Sequence, residues 1–110
     1  MMLTTMLMLQ ASLTMPATRP GDYPTDARAD YVMGCMAANG QTREMLQRCS
    51  CSIDAIASAI SYQEYERAET VLGMRGVTGQ RASLFNEVPL LRAAVQHLRE
   101  AQVEADFRCF

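Results

Sequence analysis

The chain has 110 residues, room for one domain whose core is small enough that stability is marginal without cross-links. Its ten cationic side chains are all arginine, dispersed among twelve acids for a formal charge of −2; with no basic stripe, a nucleic-acid footprint is excluded. Four cysteines are an even count, which allows two disulfides in three connectivities where conditions are oxidising, and metal ligands or redox thiols where they are reducing.

Residues 1–17, MMLTTMLMLQASLTMPA, carry no charge and hold five of the nine methionines. The run is too short, and too interrupted by Thr, Gln and Ser, for a membrane span of about 20 apolar residues, so no stable membrane anchor is expected. An apolar centre followed by small residues near Pro16 and Ala17 reads as a secretory signal, although no basic residue precedes it. The alternative is an ordinary tail on a cytosolic helical interaction protein. Residues 18–25 contain RPGDYP, a Pro/Gly-rich linker that stops any helix entering from the leader. The folded domain is expected over 26–110.

A first helix is expected through DARADYVMGCMAAN, capped by Thr25 or Asp26, with Asp26 and Asp30 suited to its dipole. Arg28, Val32, Cys35 and Asn39 share one side, flanked by Tyr31 and Met36. Asn39-Gly40 is the stop signal, and the short connection to Thr42 makes the next helix an antiparallel neighbour.

That next helix, Thr42 to Ile60, organises the chain. Leu46, Cys49, Ile53, Ile56 and Ile60 recur at steps of three and four, one apolar seam. Cys49 lies on it, whereas Cys51 points about 200° away, beside Ala55, Ser58 and Ala59. Counted from the turn, Cys35 and Cys49 stand at similar heights, roughly 8 to 10 Å along their helices at 1.5 Å per residue, so a Cys35–Cys49 bridge fits the hairpin.

Ser61 opens a third helix with the capping box SYQE, Glu64 reaching back. Tyr62, Tyr65, Ala68 or Glu69, and Leu72 follow at helical spacing, placing the tyrosines toward the central helix. Gly73 and Gly76 are expected to end it. GMRGVTGQRAS then reads as a connector, because it lacks the GxxxxGK[ST] pattern of a phosphate loop and follows no strand. Asn86 is the expected cap of a last helix with Pro89 in its first turn and a stripe of Leu91, Ala94 or Val95, Leu98, Ala101 or Gln102, and Ala105. Cys109 either reaches back to Cys51 or ends the chain as a free thiol on a frayed terminus.

Chemistry is constrained more by what is missing. The single histidine, His97, lies on the flank of the last helix, and no Ser-His-Asp or Cys-His-Asn set can be assembled. CxxCH and paired CxxC spacings do not occur. Glu64, Glu66 and Glu69 read as a solvated helix face. No enzyme activity, catalytic residue or cofactor is therefore expected. The sharp alternative is a Cu(I)-binding or thiol-redox protein using Cys35, Cys49 and Cys51 with Met33 and Met36, soft sulfur ligands suited to that ion; against it, positions i and i+2 diverge on a helix.

The segments YVMGCMAANG, LQRCSCSIDAIAS and SYQEYERAETVLGMRGVTGQR resemble a group of short secreted bacterial proteins of the form YVxxCMxxxGG…CSCxxDxIAxxxxxxxYxxAxT. The similarity runs from Tyr31 to Phe85 and is most specific at Cys49-Ser50-Cys51 with Asp54 and Ala57. Asn39-Gly40-Gln41 departs from the pattern's paired glycines, and Cys109 lies outside it. The resemblance implies a periplasmic accessory role beside quinoprotein alcohol dehydrogenase and cytochrome c systems. The expectation is an all-α bundle of three or four helices, exported and stapled by Cys35, Cys49, Cys51 and Cys109. It would act on a protein partner through an exposed helix face or the stretch Met74 to Leu84, near Arg75 and Arg81.

Overall fold

A computed structural model describes residues 22–75 and 87–110, and within them every regular element is a helix: α1 (Thr25–Asn39), α2 (Arg43–Ala59), α3 (Tyr62–Arg75) and α4 (Pro89–Cys109). The fold is all-α, as the periodicities imply. The leader, the glycine-rich connector from Gly76 onward and the Asn86 cap lie outside the described residues. None of the described helices is long and apolar enough to cross a membrane.

The seam of α2 is buried where it faces its neighbours. Cys49, Ile53 and Ile56 are inside, joined by Ser52 and Ala57, whereas Leu46 at one end is 40 % exposed and Ile60 at the other is half-buried. Both ends of the helix are capped locally. Thr42 Oγ1 accepts from the Met45 N–H at 3.1 Å, satisfying one of the free donors of the first turn. The Ile60 N–H donates to Ile56 O at 3.1 Å.

α2 packs on α1 and, more extensively, on α4, and α3 lies against α4. The inner face of α4 is Ala94, Val95, Leu98, Ala101 and Ala105, all buried. Its alanines leave little side chain between the backbones of α2 and α4, so the two can approach closely at interior density. α1 has no fully buried residue; Tyr31 and Val32 merely lean on the core. Its attachment comes from an ion pair, Arg28 Nη1 to Asp54 Oδ1 at 2.5 Å, and from a disulfide. The link between α1 and α2 is Gly40, Gln41 and Thr42. Gly40 has φ +121°, ψ 147°, an extended conformation open to glycine rather than the left-handed helical cap, and its N–H closes α1 on Met36 O at 2.8 Å.

Several local expectations are corrected. α1 starts one residue earlier, with Pro24 at the cap position and no side-chain capping bond, because Asp26 already sits in the first turn, where its carboxylate accepts from the Ala27 N–H. α3 runs through Gly73 to Arg75, since Val71 is buried just before it and offsets the cost of about 1 kcal/mol for a helical glycine. α4 takes Val88 as its cap, with Pro89 in the first turn and no side-chain bond. The tyrosines of α3 join the core cluster that holds Ile53, Ile56 and Ala57 of α2. They close on Tyr23, with ring centroids 5.2 Å from Tyr23 to each and 6.3 Å between Tyr62 and Tyr65. Tyr23 itself, inside the segment read as a linker, is a core residue whose hydroxyl donates to Ile60 O at 2.9 Å. The core thus reaches back to Tyr23.

Candidate functional site

The two thiols of α2 diverge as the helical turn requires. Cys49 is fully buried and bonded to Cys35 on α1; Cys51 is exposed and bonded to Cys109 at the end of α4. Cα–Cα separations are 5.8 Å and 5.7 Å, within the usual range for a disulfide. All four cysteines are paired, and the choice left open for Cys109 resolves to a bridge. The set of Cys35, Cys49 and Cys51 with Met36 and Met33 is not assembled as one cluster here: the sulfurs are shared between two bridges on different sides of α2, Met36 is half-buried, and Met33 is 71 % exposed. Among the described residues no group of three or more His, Cys, Asp or Glu is placed to hold a metal ion.

Two other sequence assignments change role. His97 meets the Glu64 carboxylate through Nδ1, a polar tie between α4 and α3. Glu64 is thus half-buried rather than part of a solvated face, and the capping box is completed on one side only, Ser61 Oγ accepting from the Glu64 N–H at 3.1 Å.

The feature that sequence reasoning missed is a cavity of about 670 Å³ into which all four helices contribute. α1 supplies Asp30 and Tyr31, α2 Ser52, α3 Tyr65 and Glu69, and α4 Asp106. Phe110 and the Cys35 end of a disulfide complete its edge, and the Arg48 guanidinium lies over the Phe110 ring at 5.8 Å. Three of these side chains are carboxylates, and none of the three has an ion-pair partner among the described residues. The electrostatic consequence is visible at Glu69, whose pKa is pushed up by burial and further by the Asp30 charge. Tyr31 and Tyr65 are likewise pushed above the ordinary phenol value, first by burial and then by neighbouring acids, Asp106 and Glu69 at Tyr31 and Glu69 at Tyr65.

Ser52 is the anomaly in this wall. It is 1 % exposed, and its Oγ makes no well-formed hydrogen bond. Ser50 and Ser58 on the same helix each donate to the carbonyl four residues back, Leu46 O at 2.7 Å and Asp54 O at 2.9 Å, the usual resolution for a helical serine. The Tyr31 hydroxyl lies beside Ser52 as a loose hydrogen-bond neighbour, which works against the rise in the Tyr31 pKa. The sequence signal was available only as a serine between two helical cysteines, on no apolar stripe.

No protein-family model, no curated protein and no solved structure matches the chain. What fold and site together define is a class: a small all-α domain whose central helix is cross-linked on two sides, with an acidic, aromatic-walled cavity beside the linked helices.

Proposed function

We propose that the protein is an exported, disulfide-stabilised helical accessory protein that works by binding rather than by catalysis, serving a periplasmic quinoprotein or cytochrome c system. The observation that carries this reading is the use of all four cysteines in two bridges, which fits an oxidising compartment and a domain too small to rely on its core alone. The uncharged, methionine-rich start of the chain and the resemblance of Tyr31 to Phe85 to secreted bacterial proteins support the periplasm and the accessory role. An exposed helix face supports contact with a protein partner, since Met33 and Leu46 flank a largely apolar groove of about 490 Å³ between α1 and α2. The Met74 to Leu84 surface lies outside the described residues from Gly76 onward.

The test is expression from the natural start codon, with recovery from the periplasm. The expected product begins after the leader, has no titratable thiol, and has a mass four hydrogens below the reduced form; an affinity tag on it retains a quinoprotein dehydrogenase or a c-type cytochrome. Recovery from the cytosol with Met1 intact and four reactive thiols overturns export. Periplasmic recovery with no such enzyme retained, and normal alcohol oxidation in a deletion strain, overturns the accessory role.

A further inference from the structure

We propose that the Cys51–Cys109 bridge is a redox latch, opened by a dithiol reductant while the Cys35–Cys49 bridge stays closed, and that its opening frees the last turn of α4 from Asp106 to Phe110. The inference rests on the two bridges alone; neither the compartment nor the identity of a partner enters it.

The bridges differ in what a thiolate can reach. Disulfide exchange requires an attacking sulfur to meet one sulfur of the bond, so access decides which bridge reacts. Cys49 is fully buried and Cys35 half-buried. Cys51 is exposed, on the side of α2 away from the buried seam, and Cys109 is half-buried. Charge favours the same bridge. Arg48 precedes Cys51 by about one turn of α2, and its guanidinium lies 5.8 Å over the ring of Phe110, the residue after Cys109. A cation there, shared with Glu44, stabilises a thiolate as it leaves the bond.

The exchange balances without another reactant. One thiolate of the dithiol attacks Cys51 Sγ; a mixed disulfide forms at Cys51, the bond to Cys109 breaks, and Cys109 leaves as a thiolate that takes a proton from water. The second thiolate of the dithiol then attacks its own sulfur in the mixed disulfide. That closes the reductant's disulfide and releases Cys51, which is protonated in turn. Two electrons and two protons pass from the dithiol to the bridge, and the dithiol departs oxidised.

Position keeps the opened state local. Cys109 is the last helical residue of α4, and the buried face of that helix, Ala94 to Ala105, lies before the turn that the bridge fixes. Beyond Ala105, Asp106, Phe107 and Phe110 are exposed, and Arg108 pairs with Glu104 of its own helix. The ties from this turn to α2 are the bridge and the Arg48 contact with Phe110. Reduction therefore leaves the core and the α1–α2 bridge in place. Asp106 and Phe110 border the cavity between the helices, so freeing the turn opens that edge of it.

The test treats the oxidised full chain with reduced thioredoxin, a dithiol protein, and in parallel with dithiothreitol. Free thiols are blocked by iodoacetamide at intervals and located by peptide mass mapping. A two-thiol form blocked at Cys51 and Cys109 is expected, appearing about tenfold or more faster than any form blocked at Cys35 or Cys49. Thioredoxin with its second thiol replaced by serine should be trapped on Cys51. Hydrogen exchange of the two-thiol form should show lost protection over 106–110 and retained protection over 94–105. Loss of both bridges at one rate, or of Cys35–Cys49 first, overturns the proposal. So does trapping on Cys109, a two-thiol form that exchanges throughout, or one that exchanges no faster at 106–110 than the oxidised chain.

Discussion

Replacing Cys51 and Cys109 together by serine isolates the contribution of a covalent tie. Cys51 is exposed and Cys109 only half-buried, so the serine hydroxyls remain reachable by water and bury no unsatisfied group. The same exchange at fully buried Cys49 would confound the cross-link with a polar burial cost. The bridge spans a sequence separation of 58, for which the chain-entropy model gives about 4 kcal/mol. The Cys35–Cys49 bridge, with a separation of 14, gives about 3 kcal/mol. The two loops do not overlap, so the contributions add to about 7 kcal/mol, against about 5–15 kcal/mol for the whole stability of a typical domain. For a domain of this size, 4 kcal/mol corresponds to a fall in Tm of about 15–30 °C. The assay is thermal unfolding followed by circular dichroism at 222 nm, on wild type, on the Cys51→Ser/Cys109→Ser variant, and on wild type with reductant. The order of Tm should be wild type, then the double variant, then reduced wild type. A double variant that melts within about 5 °C of wild type would refute the reasoning, because about 4 kcal/mol must appear somewhere on that scale.

Two further outcomes are expected. Tyr23→Phe removes the hydroxyl that donates to Ile60 O while keeping the ring among Tyr62 and Tyr65, so it should cost about 1 kcal/mol, read from the midpoint of urea unfolding; no change would mean that the aromatic contact alone holds the N-terminal end of the core. Glu69 has a folded-state pKa raised above its ordinary 4.5 by burial and by Asp30, with Asp106 and the two tyrosine rings on the other walls. The folded chain therefore holds that proton more tightly than the unfolded chain, and its stability contribution is complete below pH 4.5 and declines as pH rises through the raised value. Glu69→Gln should match wild type in stability at pH 4 and exceed it at pH 7, as measured by denaturation at both pH values; a constant difference would show that Glu69 senses no burial and no neighbour.

The helices were legible because apolar spacing survives in α2 and α4: Cys49, Ile53 and Ile56, and Ala94, Leu98 and Ala105, are buried where the periodicity puts them. Spacing along a helix also put Cys35 and Cys49 at one height. It failed wherever a residue's role depends on a distant segment. Tyr23 looks like linker because Pro and Gly surround it, and only the arrival of α3 makes it core. His97 and Glu64 lie 33 residues apart, and nothing local pairs them. Leu46 has the spacing of the seam, yet α1 is too lightly packed to cover it. The cavity was the least legible feature, since Asp30, Ser52, Glu69 and Asp106 each belong to a different helix and nothing local brings them together.

The places where a chain departs from the rules of stable folding are informative about what it does, since local and global preferences otherwise agree. Most of this domain obeys them: helical serines bond their own carbonyls, the apolar seams are inside, and exposed charges such as Arg48 with Glu44 and Arg108 with Glu104 pair one turn apart. The departures gather in one spot. A buried hydroxyl with only a loose hydrogen-bond neighbour and three carboxylates without an ion-pair partner among the described residues, one of them Glu69 held toward its neutral form, all border the same cavity. The covalent ties bear directly on that arrangement. Two of the walls, on α1 and α4, are fixed to α2 by disulfides, so repulsion among Asp30, Glu69 and Asp106 cannot be relieved by spreading those helices apart. The wall on α3 carries Glu69 and Tyr65 and has no disulfide; it is held by its buried Ala68 and Val71 in the core shared with α4, by the tyrosine trio and by Glu64 with His97.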